Sequence, residues 1–245
     1  MTSTWIIIGA TSSMARAFAR KVAEDGAHIL LAGRDMADMQ RTEQDCRMRG
    51  APTAQSVMFD ARKPGTFDAI TVKAALQDGE INVAVFVGSM PPQDHIDDDP
   101  SLIDGVVSDS FTGPARLLQR LAPILEDRGA GNVVGIGSVA GDRGRLGNYV
   151  YGASKAGFHT YLAGLRNRLG RSGVHVVTVK PGFVDTAMTW GLDGMFLVAS
   201  PEAVAADICK AVRKKRNVIY TPFFWRYIML IIMHIPEFIF KKLKI

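Results

Sequence analysis

The chain has 245 residues, of which 47% are hydrophobic and 22% are charged, so it is long enough for one large α/β domain or two small ones. This composition is typical of a globular protein with a substantial core, and it excludes disorder as the main state. The net charge of +5 comes largely from basic runs at residues 213–216 and 241–244. Because no basic face with interleaved aromatic residues runs through the rest, nucleic acid is not an expected partner.

Two cysteines, Cys46 and Cys209, fall in segments that we predict as helices. Two such residues make neither a disulfide framework nor a metal cluster, so the sequence predicts no metal site and favours a reducing compartment. The first apolar run, residues 5–8, is too short for a signal peptide and follows no basic region. We therefore expect a cytoplasmic protein.

Short apolar runs alternate with amphipathic segments of helix length along the chain. Seven runs are predicted as strands: residues 5–8, 27–32, 56–59, 83–87, 132–136, 174–179 and 218–220. Six segments are predicted as helices: residues 15–24, 36–49, 66–76, 102–125, 153–169 and 201–212. Strands that are apolar throughout indicate a buried parallel sheet with helices on both faces. The predicted fold is α/β, a Rossmann-type doubly wound parallel sheet of about seven strands in a three-layer α/β/α domain of residues 1–222.

Small and polar residues follow each of the first six predicted strands. They are Gly9 to Ser13, Gly33 and Arg34, Asp60 and Ala61, Gly88 and Ser89, Gly137 and Ser138, and Pro181 and Gly182. Loops at the carboxyl ends of parallel strands meet at one edge of the sheet, and a crevice forms where the strand order reverses. We therefore expect one binding crevice, with Asp60, Ala61 and Gly88 among the residues that bind a cofactor.

The turn after the first strand, from Gly9 to Met14, is rich in small side chains. In such a turn the backbone N–H groups and the helix N-terminus can approach a pyrophosphate. Thr11, Ser12 and Ser13 lie at the point of approach. The alternative is an ordinary strand-to-helix turn in which a serine or threonine caps the helix.

Arg34 follows the second predicted strand, at the position that distinguishes the two nicotinamide dinucleotides. An acidic residue there would bind the adenosine ribose 2′-hydroxyl, whereas an arginine accommodates a 2′-phosphate. Arg34 therefore favours NADP(H) over NAD(H). The alternative is a solvated arginine at a helix start, beside Asp35 as the helix cap.

A tyrosine and a lysine stand four residues apart in the stretch YGASK, as Tyr151 and Lys155, and Ser138 precedes them. On a helix, Tyr151 and Lys155 would lie on the same face. A neighbouring ammonium favours the phenolate, so we expect a Tyr151 pKa lowered towards the range of a working general acid. Ser138 would stabilise the alkoxide that develops from a carbonyl. The alternative is a helix-start aromatic and a loop-capping serine.

With these motifs in this order, the sequence resembles the short-chain dehydrogenase/reductase family over residues 4–221. The resemblance rests on Ser138, on Tyr151 and Lys155, and on the Pro-Gly-x-x-x-Thr pattern at residues 181–186. It implies that Tyr151 is the proton donor and that Lys155 also holds the nicotinamide ribose. It implies cofactor contacts from Pro181, Gly182, Val184 and Thr186. Family members are commonly dimers or tetramers, so a homodimer or homotetramer is expected.

Three motifs depart from the family pattern. Ser13 and Ala15 replace two glycines of the cofactor loop, and both are small enough to admit a dinucleotide. After the fourth strand only Gly88 remains of Asn-Asn-Ala-Gly, which concerns stability rather than chemistry. The catalytic asparagine of the family corresponds to Ser110, whose hydroxyl can hold a water but cannot reproduce the geometry of an amide. We therefore expect a weakened or rerouted proton relay at Ser110, which we include among the catalytic residues.

Residues 139–145, 148–152 and 220–226 carry a narrower likeness, to a bacterial subgroup similar to decaprenylphosphoryl-2-keto-ribose reductase. That subgroup implies reduction of a keto sugar carried on a polyprenyl phosphate, and hence a hydrophobic or lipid-linked substrate. The loop at residues 189–198 contains Trp, Leu, Met and Phe side chains, which suit a lid over an apolar substrate and equally suit simple packing.

The tail, residues 223–245, begins with FFWRYIMLIIMHIPEFIF and ends in a basic run. Arg226, His234, Pro236 and Glu237 interrupt the apolar stretch, so it is a poor spanning helix. We expect the tail to lie on an anionic membrane surface, at the inner face of the cell membrane. The alternative is a packing arm that covers a subunit interface or the mouth of the active site.

The sequence leaves three functions open. The first is NADP(H)-dependent reduction of a ketone, or oxidation of a secondary alcohol, on a hydrophobic or polyprenyl-linked keto-sugar-like substrate. The second is a catalytically weak NADP(H)-binding regulatory or scaffold protein, for which Ser110 is the main support. The third is a membrane-anchoring component of a larger complex, whose tail would bind protein. The complete set of Ser138, Tyr151 and Lys155 favours the first.

Overall fold

The computed structural model describes residues 2–189 and 197–243, and it contains the seven strands that the sequence predicts. They are β1 Ser3–Ile8, β2 His28–Gly33, β3 Ala54–Met58, β4 Glu80–Val85, β5 Asn132–Ile136, β6 His175–Pro181 and β7 Val218–Thr221. All pair in parallel, in the order β3-β2-β1-β4-β5-β6-β7. The predicted Rossmann-type fold is confirmed, and the strand order reverses between β1 and β4, where a crevice is expected.

Helices cover the sheet. Those in the described part of the chain are α1 Ser13–Glu24, α2 Met36–Met48, α3 Phe67–Ala75, α4 Gln93–Asp98, α5 Leu102–Val107, α6 Gly113–Arg128, α7 Tyr149–Leu169, α8 Pro201–Arg213, α9 Trp225–His234 and α10 Glu237–Phe240. Neighbouring residues of β1 show the two layers, because Ile7 packs with Phe18 of α1 whereas Ile8 packs with Leu117 of α6. The central strands are buried on both faces, which explains their apolar runs, whereas the edge strand β3 exposes Gln55 and Met58.

The predicted single helix at residues 102–125 is wrong in one respect. The structure divides it into α5 and α6, which are joined by a π-helical turn at Ser108–Thr112. In this turn the Gly113 N–H donates to the Ser108 carbonyl, five residues back. Pro114 follows, and because proline has no N–H it cannot continue the normal ladder of hydrogen bonds. Ser110 therefore lies in an irregular turn rather than in a regular helix.

The first tail helix, α9, packs one face against the body of the protein. Trp225 and Met229 are buried in a cluster with Val139, and the Phe183 ring lies 5.6 Å from the Trp225 ring. The opposite side of α9 exposes Tyr227, Leu230 and Ile231. Phe223, which precedes α9, and Phe238 of α10 are exposed as well. Among the described residues, no helix is long and apolar enough to cross a membrane.

Arg143 attaches the tail to the loop after β5. Its guanidinium donates to the backbone carbonyl of Ile232 and, at 2.7 Å, to that of Ile235, both at the C-terminal end of α9. It also lies 3.6 Å from the centre of the Phe240 ring and pairs with Glu237 at 3.0 Å. Cationic groups are favourable at the C-terminal end of a helix, where carbonyl groups lack partners. The tail and this loop are thus mechanically connected.

Candidate active site

A cleft of about 210 Å³ opens at the carboxyl edge of the sheet, around the reversal of strand order. Seven of the predicted cofactor residues line it: Gly9, Thr11, Ser12, Arg34, Asp60, Ala61 and Gly88. The remaining lining residues are Gly33, Phe59, Phe86, Val87, Ser89 and Asp109. The cleft therefore brings together the ends of β1, β2, β3 and β4, as the order of the strands requires.

Gly9 fixes the shape of the turn after β1. Its φ of +79° lies in the left-handed region, and a Cβ there would come within 3.0 Å of the Phe86 carbonyl group. Ser12 stands at the N-cap of α1, but its side chain makes no capping hydrogen bond. The first backbone N–H groups of α1, which Ser13 and Met14 begin, lack partners within the helix. Ser13 and Met14 do not themselves line the cleft.

Arg34 is exposed at the rim of the cleft, directly after β2. Its neighbour Asp35 caps α2 by accepting a hydrogen bond from the Asp38 N–H at 3.0 Å. Within residues 2–189 and 197–243, the Arg34 side chain makes no hydrogen bond or ion pair. The helix-capping role therefore belongs to Asp35, and the Arg34 guanidinium is open to a ligand.

The turn after β3 contains a polar group that the sequence argument missed. Arg62 forms a two-pronged ion pair with Asp109 of the π-helical turn, with distances of 3.0 and 2.7 Å. Asp109 lines the cleft, and Asp60 accepts from the Arg62 N–H at 3.0 Å. The sequence indicates a role for Asp109 only through its position next to Ser110, because its partner Arg62 lies 47 residues away in the chain.

Ser138 stands directly beyond β5 and is held in place by backbone contacts. Its Oγ accepts from the Ala140 N–H at 3.1 Å and caps a short 3-10 turn at Val139–Gly141. Its own N–H donates to His159 Nε2 at 3.2 Å. His159 is one turn of α7 beyond Lys155, and burial lowers its pKa to about 4, so it remains a neutral acceptor at pH 7. The role of His159 was not predicted from the sequence, although its spacing from Lys155 along α7 could have indicated it.

Tyr151 and Lys155 lie one turn apart on α7, and both are buried. Burial raises the pKa of the Tyr151 phenol to about 12, against a hydrogen bond with the Ser138 hydroxyl and the Arg145 charge, which lower it. The prediction that Lys155 lowers the pKa of Tyr151 is therefore wrong for the protein without bound cofactor. The Lys155 Nζ lies 5.8 Å from the centre of the tyrosine ring, and loss of solvent outweighs the opposing charges.

The Lys155 ammonium is bound to the sheet. Its Nζ donates to the carbonyl of Val87 at 3.0 Å and to that of Ile136 at 2.9 Å, at the ends of β4 and β5. Burial lowers the pKa of Lys155 to about 7. The lysine therefore links the two strands and is poised to exchange a proton near neutral pH.

Ser110 faces the same point from the π-helical turn and is fully buried. Its hydroxyl accepts from the Ser89 N–H at 3.3 Å and donates to the Ser89 carbonyl at 3.4 Å. A Cβ added to Gly88 would lie 3.1 Å from Lys155 Nζ and 3.4 Å from Ser110 Oγ. Gly88 thus leaves a small space between these two polar groups, while the Ser110 proton is directed at the backbone.

The predicted nicotinamide contacts lie beyond β6. Pro181 ends β6, and a Cβ on Gly182 would collide with the Trp225 indole, so glycine permits α9 to approach. Val184 is buried and pairs with Ala199, and the Thr186 N–H donates to Thr189 Oγ1 at 3.2 Å. None of these residues lines the cleft described above. The predicted lid at residues 189–198 falls mainly outside the described residues.

The chain matches the short chain dehydrogenase family over residues 3–195. It is 29% identical over 239 residues to an uncharacterized oxidoreductase of Mycobacterium tuberculosis, covering 97% of this chain and 96% of the relative. It is 31% identical over 194 residues to sulfoacetaldehyde reductase of Chromohalobacter salexigens, covering 77% of this chain and 75% of the relative.

A short-chain dehydrogenase from Sphingobium yanoikuyae, solved in complex with NADPH, superposes with a TM-score of 0.81 at 22% identity, covering 97% of each chain. Actinorhodin polyketide ketoreductase with NADPH superposes with a TM-score of 0.75 at 21% identity, covering 85% of this chain and 89% of the other. At such identities these two likenesses concern the fold. The match to the family over residues 3–195 shows that the chain belongs to the short-chain dehydrogenase/reductase family of oxidoreductases.

Proposed function

We propose that this chain is an NADP(H)-dependent carbonyl reductase or alcohol dehydrogenase, with residues 1–222 as its catalytic domain. The observation that carries the proposal is the meeting of Ser138, Tyr151 and Lys155 at the edge of the sheet beside the cleft. By family resemblance we also propose a homodimer or homotetramer, which light scattering would measure.

The residues around the cleft fit a dinucleotide. Gly9 and Gly88 leave space that a side chain would fill, and the Arg34 guanidinium is open. The turn of Thr11, Ser12, Ser13 and Met14 would hold the pyrophosphate at the N-terminus of α1. Arg34 would pair with the 2′-phosphate. The other contacts would come from Asp60 and Ala61, and from Pro181, Gly182, Val184 and Thr186 at the nicotinamide end.

NADPH, when bound, supplies a hydride to the carbonyl carbon, and the residues of the chain act on the carbonyl oxygen. The Ser138 hydroxyl donates a hydrogen bond to this oxygen as its charge grows. Tyr151, whose pKa of about 12 keeps it protonated at pH 7, transfers its phenolic proton to the same oxygen. The Arg145 charge and the Ser138 hydroxyl then stabilise the phenolate. The Lys155 ammonium donates two of its N–H groups to the backbone carbonyls of Val87 and Ile136. Its third N–H, which has no acceptor within the described residues, would donate to a ribose hydroxyl.

The return of the proton to Tyr151 is proposed to bypass the Ser110 hydroxyl. That hydroxyl is engaged by both the N–H and the carbonyl of Ser89, so it lacks the free donor of an asparagine amide. Lys155, with a pKa of about 7, can release and regain a proton near neutral pH. A rerouted relay from Lys155 through the space beside Gly88 agrees with these contacts.

For the substrate, we propose a hydrophobic or polyprenyl-linked keto-sugar-like ketone, or the corresponding secondary alcohol. The apolar side chains exposed on α9 and α10, close to the loop after β6, support a lipid-like substrate. The names of sulfoacetaldehyde reductase and of the polyketide ketoreductase support carbonyl reduction more broadly.

The test is a titration of the purified chain with NADPH, followed by assays of NADPH oxidation with a panel of ketones. Tight NADPH binding and turnover with at least one ketone would support the proposal. NADPH binding without turnover on any ketone would favour the regulatory or scaffold alternative. Absence of NADPH binding would reject both.

Arg34→Asp should change the choice of cofactor. Loss of a charged contact to the 2′-phosphate is expected to raise the KM for NADPH by about 10- to 100-fold, with little change for NADH. Steady-state kinetics with both cofactors would measure this effect. Arg41→Asp, at an exposed arginine of α2, is the matched control for charge. Equal effects on NADPH and NADH would contradict the role of Arg34.

We also propose that residues 223–245 hold the protein at the inner face of an anionic membrane, so that a cytoplasmic enzyme meets a lipid-linked substrate. The exposed apolar side chains of α9 and α10 stand beside Arg226, Lys241 and Lys242, which suits a headgroup surface. The buried face of α9, which packs on the body of the protein, also agrees with the alternative that the tail is a packing arm. The exposed face of α9 is the part that we assign to the membrane surface.

Flotation with phosphatidylglycerol vesicles tests the membrane proposal. The chain should float with these vesicles and less with neutral ones, and Leu230→Asp with Ile231→Asp should remove flotation by taking charge into the apolar contact. Met48→Asp with Leu76→Asp, at exposed apolar positions of the body, is the matched control and should float normally. A tail variant that floats as well as the unaltered chain would rule out this surface.

A further inference from the structure

The loop between Ser138 and Tyr151 contains an arginine, Arg145, whose side chain makes no hydrogen bond or ion pair within the described residues. Arg145 is half-buried, and its Nε is shielded from solvent without any hydrogen bond. Within the described residues the Arg145 guanidinium makes no ion pair either, and only its backbone carbonyl is used, by the Asn148 N–H at 3.2 Å. Arg143 in the same loop, by contrast, has four contacts to the tail. A guanidinium that is partly desolvated without compensation costs free energy, so the position calls for a ligand.

The Arg145 guanidinium lies near the reacting phenol. Its charge acts on Tyr151 to favour the phenolate, and burial lowers the pKa of Arg145 itself. The other charged group that it faces is Asp142. That carboxylate is already engaged, because it pairs with Lys180, accepts from the Tyr220 hydroxyl at 2.7 Å and faces His159 at 3.6 Å. Among residues 2–189 and 197–243, no free anion therefore pairs with Arg145.

The cofactor's phosphates do not account for Arg145. Their proposed contacts are Arg34 after β2 and the Gly9 turn after β1. Three strand spacings separate β2 from β5, which is about 14 Å across the sheet. Arg145 follows β5, and its charge acts on the phenol that would meet the carbonyl, so it belongs to the substrate side of the site.

We propose that Arg145 binds an oxyanion of the substrate, such as a phosphate or sulfonate, carried close to the carbonyl that Tyr151 protonates. This inference rests on the proposed reductase function and specifies its substrate class. A guanidinium matches an oxyanion with two parallel N–H···O bonds, which fixes the orientation of the substrate as well as its affinity.

Paired substrates separate this role from a general effect of charge on Tyr151. Dihydroxyacetone phosphate and dihydroxyacetone differ in the phosphate, and sulfoacetaldehyde and acetaldehyde differ in the sulfonate. Arg145→Gln should lower kcat/KM for the anionic member of a pair by about 10- to 100-fold more than for the neutral member. Arg145→Lys should retain part of that preference, since lysine keeps the positive charge but lacks the two parallel N–H donors of the guanidinium. Arg171→Gln, at an exposed arginine, should change neither ratio.

A binding measurement keeps the inference independent of turnover. Calorimetry of the NADPH-saturated chain with inorganic phosphate should detect a site that Arg145→Gln removes while NADPH affinity is unchanged. If anionic and neutral substrates lose activity equally and phosphate binding persists in Arg145→Gln, the oxyanion role is excluded, although the reductase function stands. If no carbonyl compound is reduced by the unaltered chain, the reductase function fails and the phosphate titration alone decides the role of Arg145.

Discussion

Tyr151→Phe is expected to lower NADPH-dependent carbonyl turnover by about 10²- to 10⁴-fold, because it removes the phenolic proton that Tyr151 would transfer to the carbonyl oxygen. NADPH affinity should stay nearly unchanged, since phenylalanine keeps the ring that packs with Ile96, Val106 and Ala140. Steady-state kinetics and a fluorescence titration with NADPH measure the two quantities separately.

Tyr149→Phe is the matched control for Tyr151→Phe. Tyr149 lies two residues earlier on α7, is 45% exposed and donates its hydroxyl proton to Asp97, away from the site. Its loss should leave turnover close to that of the unaltered chain. Substantial turnover in Tyr151→Phe, or an equal loss in Tyr149→Phe, would show that Tyr151 is not the acid.

Lys155→Met should lower turnover by about 100-fold or more and also change how stability depends on pH. The folded pKa of Lys155, about 7, lies below its ordinary value of 10.5, so between these values the unfolded chain binds more protons. The free energy of unfolding of the unaltered chain should therefore rise with pH in this window. From about pH 7 to about pH 8.5 the rise due to Lys155 is on the order of 1 to 2 kcal/mol.

Urea denaturation at the two pH values measures this contribution as the difference between the unaltered chain and Lys155→Met. Lys210→Met, at an exposed lysine of α8, should keep the pH dependence of the unaltered chain. The burial argument for Lys155 fails if Lys155→Met shows the same pH dependence as the unaltered chain.

Much of the fold could be predicted from the sequence because its strands are buried on both faces. A strand such as β1 then contains an unbroken apolar run from Trp5 to Ile8, and the glycine and polar residues beyond it mark the carboxyl edge. The π-helical turn could not be predicted, because Ser108–Thr112 has no apolar periodicity of its own and Pro114 is compatible with a normal helix start.

The site was predictable in its residues but less so in its electrostatics. Spacing alone put Tyr151 and Lys155 on one face of a helix, yet the direction of the Tyr151 pKa shift depends on burial by distant segments. Whether an arginine is paired is also a tertiary property. Nothing in the local sequence distinguishes Arg143, which holds the tail, from Arg145, whose side chain makes no hydrogen bond or ion pair in the described part of the chain.

The π-helical turn also sets the phase of the long helical segment that contains Ser110. A π turn holds one residue more than an α turn, and each residue of an α-helix rotates the chain by about 100°. The side chains after Thr112 are therefore rotated about the helix axis by one residue relative to those before Ser108, compared with a continuous α-helix. Deleting a single residue from this turn would restore a continuous α-helix and rotate the Ser110 side chain away from Gly88 and Lys155. For this segment, the number of residues matters as much as their identity.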